Sequence, residues 1–155
     1  MYTTGSIKYP VALASVFLWI GFLGAISFME AWLKFRAPGI TVELGLGIGR
    51  LVFNALNKIE WVLIVLVIGN IILNGNVQYR LRLTPLIIVL VLLLAQTFWL
   101  LPALDLRAEL VIKGQELAKS NLHIYYVIME IMKVSYLFYF GSKLLNHKRI
   151  SETEF

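Results

Sequence analysis

Apolar residues fill four long stretches of this chain, and the few polar positions inside them recur at helical spacing. The stretches run from about residue 11 to 35, 50 to 73, 83 to 104 and 122 to 145. An apolar run of about 18 residues or more reads as a transmembrane helix. Turn signals separate the four. Pro10 opens the first helix at a first-turn position, and Ala37-Pro38-Gly39 closes it. Gly45, Gly47 and Gly49 read as a connector into the second helix, and Asn74-Gly75-Asn76 reads as a tight turn. Arg80 and Arg82 flank the third helix, which Pro102 is expected to end or kink. Asp105 to Asn121 mixes charge with Leu106, Leu110, Ile112 and Leu117, and is expected to form a short interfacial helix. The pattern predicts an all-α fold, an integral membrane antiparallel four-helix bundle in which residues 1–155 form a single transmembrane domain.

Composition narrows the class. The chain is 59% hydrophobic and 15% charged with a mean hydropathy of +0.80, well beyond what a soluble domain of 155 residues requires. The net charge of +5 then concerns headgroups and topology. No motif or soluble basic face points to nucleic acid, so the lipid bilayer is the expected partner, with a homo-oligomer or a larger membrane complex as further options. The absence of cysteine excludes disulfides, thiolate chemistry, iron–sulfur clusters and thiolate-bound zinc. One Lys precedes the first apolar run and no small-residue cleavage site appears before Glu30, so that run reads as a retained helix rather than a signal peptide.

Four crossings place both termini on one side, which carries Lys8, Arg80, Arg82, Lys143, Lys148 and Arg149 against Glu152 and Glu154. Arg36, Arg50 and Arg107 near the other boundary make the bias weak. The expected orientation has both termini cytoplasmic in a bacterial-type inner membrane.

The polar residues inside the spans gather toward one membrane half. The first helix ends with Glu30 and Lys34, spaced i,i+4. The second begins with Arg50, Asn54, Asn57 and Glu60, all within one third of its circumference. The third supplies Gln96, then Asp105 and Arg107; the fourth supplies His123, Tyr126, Glu130 and Lys133 on one narrow face. A carboxylate at bilayer depth costs about 2.5 kcal/mol or more on insertion scales, so it is retained when paired, turned inward or lining a wet cavity. Two readings compete. In the first, Glu130 and Lys133 pair locally, Lys34 and Arg36 reach the headgroups, and the polar groups only set helix register. In the second, Glu60, His123 and Glu130 are acid/base or ligating groups of a cavity, with Glu30, Arg50, Asn54, Asn57, Gln96, Tyr126 and Lys133 binding its occupant.

Cofactors stay open at this point. Glu30, Glu60, His123 and Glu130 make an adequate inventory of hard ligands for a metal. Four-helix di-iron sites, however, use Glu-x-x-His motifs, and none occurs; His123 and Glu130 lie about 10 Å apart along a helix axis. The other histidine, His147, falls at the far end in a basic tail, which argues against haem. The Gly45/Gly47/Gly49 run lacks the strand and spacing of a nucleotide loop, and Gly45 with Gly49 fits close helix packing. Trp19, Trp32, Trp61 and Trp99 fit interfacial belts and bundle packing. Ser120 suits the cap before the fourth helix better than a nucleophile.

The stretch from Phe28 to Pro38, FMEAWLKFRAP, followed by Gly49-Arg50-Leu51-Val52-Phe53, resembles the first half of an uncharacterised family of small four-helix membrane proteins that includes transmembrane protein 205. Leu101-Pro102 with Arg107, and Leu122-His123, are similar to that family's second half. A looser similarity is to the anthrone-oxygenase-like four-helix membrane proteins, whose last helix often carries a His and a Glu. The resemblance implies the fold and assigns no catalytic residue. Three functions follow as expectations: an enzyme or binding protein for a lipophilic substrate, a structural or accessory subunit of a larger membrane complex, and a small proton-coupled transporter.

Overall fold

The computed structural model describes residues 8–74, 83–115, 118 and 120–146, and every regular element among them is helical. There are four long helices: α1 (Pro10–Arg36), α2 (Val42–Asn74), α3 (Thr84–Ile112) and α4 (Leu122–Asn146). The first three, of 27, 33 and 29 residues, are long and apolar enough to cross a membrane. At 1.5 Å per residue each reaches roughly 40 Å or more. The fourth is long enough, but Glu130, Lys133, Lys143 and a run of tyrosines dilute its apolar character.

Local chemistry explains the helix ends. Past Arg36 the chain turns through Ala37-Pro38-Gly39-Ile40, with Gly39 at φ +81° and the Ile40 N–H on the Ala37 carbonyl at 3.2 Å. Proline followed by a positive-φ glycine is the signature of a type II turn. Thr41 then caps α2, its hydroxyl accepting the Leu44 N–H at 3.3 Å. So α2 starts at Val42, not near Arg50, and the expected Gly-rich connector is helix. Its glycines serve close approach: a Cβ on Gly45 would run into the Phe35 ring, and one on Gly49 would lie 2.9 Å from Lys34 Nζ.

Pro102 does not end the third helix. Before it, Gln96–Leu100 widens into a π turn, and the Leu101 N–H reaches back to the Gln96 carbonyl. The wide turn gives room where the proline ring would crowd the preceding turn and where its missing N–H leaves a gap. The helix then runs on to Ile112, so the interfacial helix expected from Asp105 is instead the end of α3. It stops at Gly114, φ +81°, where the Gln115 N–H bonds Leu110 and the Gly114 N–H bonds Val111, a Schellman motif. Ser120 behaves as expected, its hydroxyl accepting the Leu122 N–H at 3.3 Å. The turn expected at 74–76, Arg80, Arg82, Glu116, Leu117, Lys119, His147 and the charged C-terminal residues lie mostly or wholly outside the described residues.

α1 packs against α2 and α4, and α3 packs against α4 through its first half and against α2 through its second. The pairings run in opposite senses along α1 and α2. Asn70 accepts the Ala12 N–H at 3.1 Å, Trp19 meets Glu60, and Lys34 meets Gly49. The core joins Ala12, Val16, Trp19 and Leu23 of α1 with Leu63, Ile64 and Val67 of α2, Val89 and Leu93 of α3, and Leu137 and Phe140 of α4. The outside is apolar as well: Leu73 is 84% exposed, Leu51 75% and Phe98 74%.

Candidate functional site

Two wide turns set the phase of the site. Gly24–Glu30 in α1 is π-helical, as is Gln96–Leu100 in α3. An inserted residue rotates the side chains that follow relative to a regular helix, and such turns recur at functional sites. Here the first carries Ser27 and Glu30, and the second carries Gln96 and Thr97. All four helices then contribute to two adjoining polar regions.

The first region is a cavity of about 470 Å³. Its polar wall includes Lys34 from α1, Arg50, Asn54 and Asn57 from α2, Thr97 and Asp105 from α3, and His123 and Tyr126 from α4. Phe35, Leu46, Phe53, Leu101 and Pro102 supply apolar wall. Lys34 does not stretch outward to headgroups. It pairs with Glu30 at 3.3 Å, and its Nζ lies 5.2 Å from the centre of the Phe53 ring. A ring face and a carboxylate both attract an ammonium, which holds this side chain against the bundle. Arg50 closes another side through two bonds to Asp105, the longer at 2.9 Å, and a contact with Glu109 at 3.6 Å. Thr97 is the polar pivot: its hydroxyl accepts from Asn57 Nδ2 at 2.9 Å and Trp61 Nε1 at 3.1 Å, and donates to the Leu93 carbonyl at 2.8 Å.

One helical turn past Asn57 and Tyr126 lies the second region. Glu60 Oε1 accepts from Trp19 Nε1 at 2.9 Å and from Lys133 Nζ. Lys133 also pairs with Glu130 Oε1 at 2.9 Å, and Gln96 Nε2 donates to that same oxygen at 2.9 Å. None of these five side-chain-bearing residues is more than 1% exposed. Each helix supplies a member, so the bonds tie all four together. Tyr126, itself buried, precedes Glu130 by one turn on the same face of α4 and also lines the cavity.

The structure therefore divides the candidate residues. Arg50, Asn54, Asn57, His123 and Tyr126 share the cavity wall. Glu60, Gln96, Glu130 and Lys133 form the buried cluster, and Glu30 stands behind Lys34. His123 is not brought to Glu60 or Glu130, and among the described residues no three His, Asp or Glu side chains are grouped to hold a metal ion. Lys133 is more than the local partner of Glu130; it reaches across to α2 and supplies the opposite charge that Glu60 lacks on its own helix.

Three residues with clear roles carry little sequence signal. Trp19 belongs to the cluster rather than to an interfacial belt, and Trp61 also points inward, whereas Trp32 and Trp99 are half exposed. Thr97 can satisfy its own hydroxyl on the preceding turn, so nothing in its position demands a partner across helices. Asn70 sits alone in an apolar run and serves the first turn of α1. No protein-family model, curated protein or solved structure matches this chain.

Proposed function

We propose that this chain is an integral membrane protein, an antiparallel four-helix bundle whose half-open cavity binds a lipophilic molecule bearing a polar head. The cavity carries the reading. Its volume of about 470 Å³ falls in the usual range for small-molecule sites, and such sites combine apolar walls with a few convergent polar groups. Polarity runs inside-out for a protein in water: Glu60, Glu130 and Lys133 are buried while Leu51, Ile72, Leu73 and Phe98 are exposed. That distribution suits a lipid solvent, which leaves apolar faces uncovered at no cost and rewards internal pairing. The opposed pairings of α1 with α2, and of Asn57 with Thr97 and Arg50 with Asp105 between α2 and α3, support the antiparallel arrangement. Orientation with cytoplasmic termini and kinship with the four-helix family named above belong to the same proposal.

The wall chemistry describes the ligand. Lys34, Arg50, His123, Asn54 and Asn57 offer donors, and the phenyl rings offer a sleeve for an apolar body. Turnover of that molecule would fall first to His123, the imidazole on the wall, with Glu60 and Glu130 acting from beneath. The test uses the purified protein in lipid nanodiscs with an environment-sensitive lipophilic dye. Saturable binding is expected for the wild type, and Asn54→Phe, which fills the cavity, should abolish it while the protein stays monodisperse. Binding that Asn54→Phe leaves unchanged would remove the cavity as the site. No saturable binding, together with stoichiometric co-purifying subunits, would favour the accessory-subunit reading.

A further inference from the structure

Two carboxylates meet one ammonium in the buried cluster, and two of its acceptor oxygens are left unserved. With Glu60 and Glu130 both ionised, Lys133 leaves a formal charge of minus one among residues that are at most 1% exposed. A net charge in so dry a place is strongly disfavoured. The hydrogen bonds are unevenly placed as well. Trp19 and Lys133 direct N–H bonds to Glu60 Oε1, and Lys133 and Gln96 direct theirs to Glu130 Oε1. Glu130 Oε2 and Gln96 Oε1, both buried acceptors, find no partner among the described residues. One proton answers both shortages. On the side facing Gln96 it lets the carboxyl and the amide close a two-bond ring, N–H to carboxyl oxygen and O–H to amide oxygen.

We propose that the Glu60–Lys133–Glu130 cluster binds one exchangeable proton and trades it with the cavity through Tyr126. The proton belongs to the cluster as a unit, as it does wherever strongly interacting groups titrate together. The groups that face it are few. α1 presents Trp19 and Ser27, and α3 presents Gln96, none of which titrates; α2 presents Glu60, and α4 presents Glu130, Lys133 and Tyr126. Glu30 with Lys34, and His123, come next, beyond the cavity side. Tyr126 is the link because it lines the cavity and stands on the face of α4 that carries Glu130 one turn further on. In the exchange its phenol releases a proton to water in the cavity and takes one from the cluster. The phenol ends as it began, and the cluster gains one negative charge. By reciprocity, any cavity ligand whose affinity senses that charge shifts the proton's occupancy in turn.

The site is testable on ligand-free protein, so its failure and that of the cavity reading are separable. Infrared spectra of the full chain in nanodiscs at neutral pH should contain the carbonyl band of a protonated carboxyl that shifts in heavy water. The band should vanish in Glu60→Gln/Glu130→Gln and in the same variant with Lys133→Met, which leaves no buried charge and guards against misfolding. In Tyr126→Phe the band should persist but exchange about a hundredfold more slowly, the scale of one positioned proton-transfer group. Absence of the band in the wild type, or its survival in the folded triple variant, overturns the proton site. An unchanged exchange rate in Tyr126→Phe overturns the route.

Discussion

Two charged clusters of similar composition lie along the site face of α2, one at the rim of the cavity and one beneath it. At the rim, Arg50 faces Asp105 and Glu109, and Glu109 pairs with Lys113 at 2.6 Å; these side chains are 30–61% exposed. Beneath, Glu60, Glu130 and Lys133 make the same kinds of ion pair with side chains at most 2% exposed. Solvent screens the first set, and either partner can be solvated when the other is lost. Neither rescue is open to the second, where a lost partner strands a charge in low dielectric. Residue type therefore says little about the weight of an ion pair; its surroundings decide it. The rim pairs can come apart at little cost, while the interior pairs bind the helices together.

The contrast is most exposed to failure at Lys133. Lys133→Met should destabilise the protein by about 3–5 kcal/mol, because the carboxylate charge left in the cluster then sits in a dry site without a cation. Thermal unfolding in detergent would read this as a collapse of the melting temperature, and adding Glu60→Gln and Glu130→Gln should recover most of it. A single Lys133→Met variant as stable as the wild type would erase the distinction between the clusters. Trp19→Phe comes next: it removes a donor to a charged acceptor, worth about 1.5–3 kcal/mol. Trp61→Phe keeps the ring but loses a bond to a neutral hydroxyl, and about 1 kcal/mol is expected by the same assay. Finding Trp61 costlier than Trp19 would mean that ring packing, not the charged bond, dominates. Smallest in stability is Arg50→Gln, which should leave the melting temperature unchanged at physiological salt yet weaken dye binding in the cavity. A melting shift without a binding change would place Arg50 with the interior after all.

The sequence carried much of this arrangement and missed part of it for physical reasons. The periodic face of Arg50, Asn54, Asn57 and Glu60 was legible because a helix of fixed pitch aligns those positions without help from neighbours. The Glu30–Lys34 and Glu130–Lys133 pairs were legible for the same reason. The start of α2 was misplaced because glycine weakens a helix on its own, and only the approach of Phe35 and Lys34 makes it the suitable residue there. Pro102 reads from the sequence as an end or a kink because its local effect is disruptive; the wide turn that absorbs it forms one turn earlier and leaves no compositional mark.

What the amino-acid order determined by itself was what repeats along one helix: four long helical segments, all read as spans although only three are apolar enough to cross a membrane, and the polar stripe along each. What only the tertiary structure decided was every relation between helices. Lys133 serves Glu60 as well as Glu130, Trp19 bonds a carboxylate instead of an interface, Thr97 joins Asn57 to Trp61, and His123 faces a cavity that Glu60 and Glu130 underlie. The reason is one of range. Helical spacing is dictated by backbone hydrogen bonds four residues apart, whereas pairing across helices depends on rotation and depth, which the two π turns and the glycine contacts reset after the local pattern is complete.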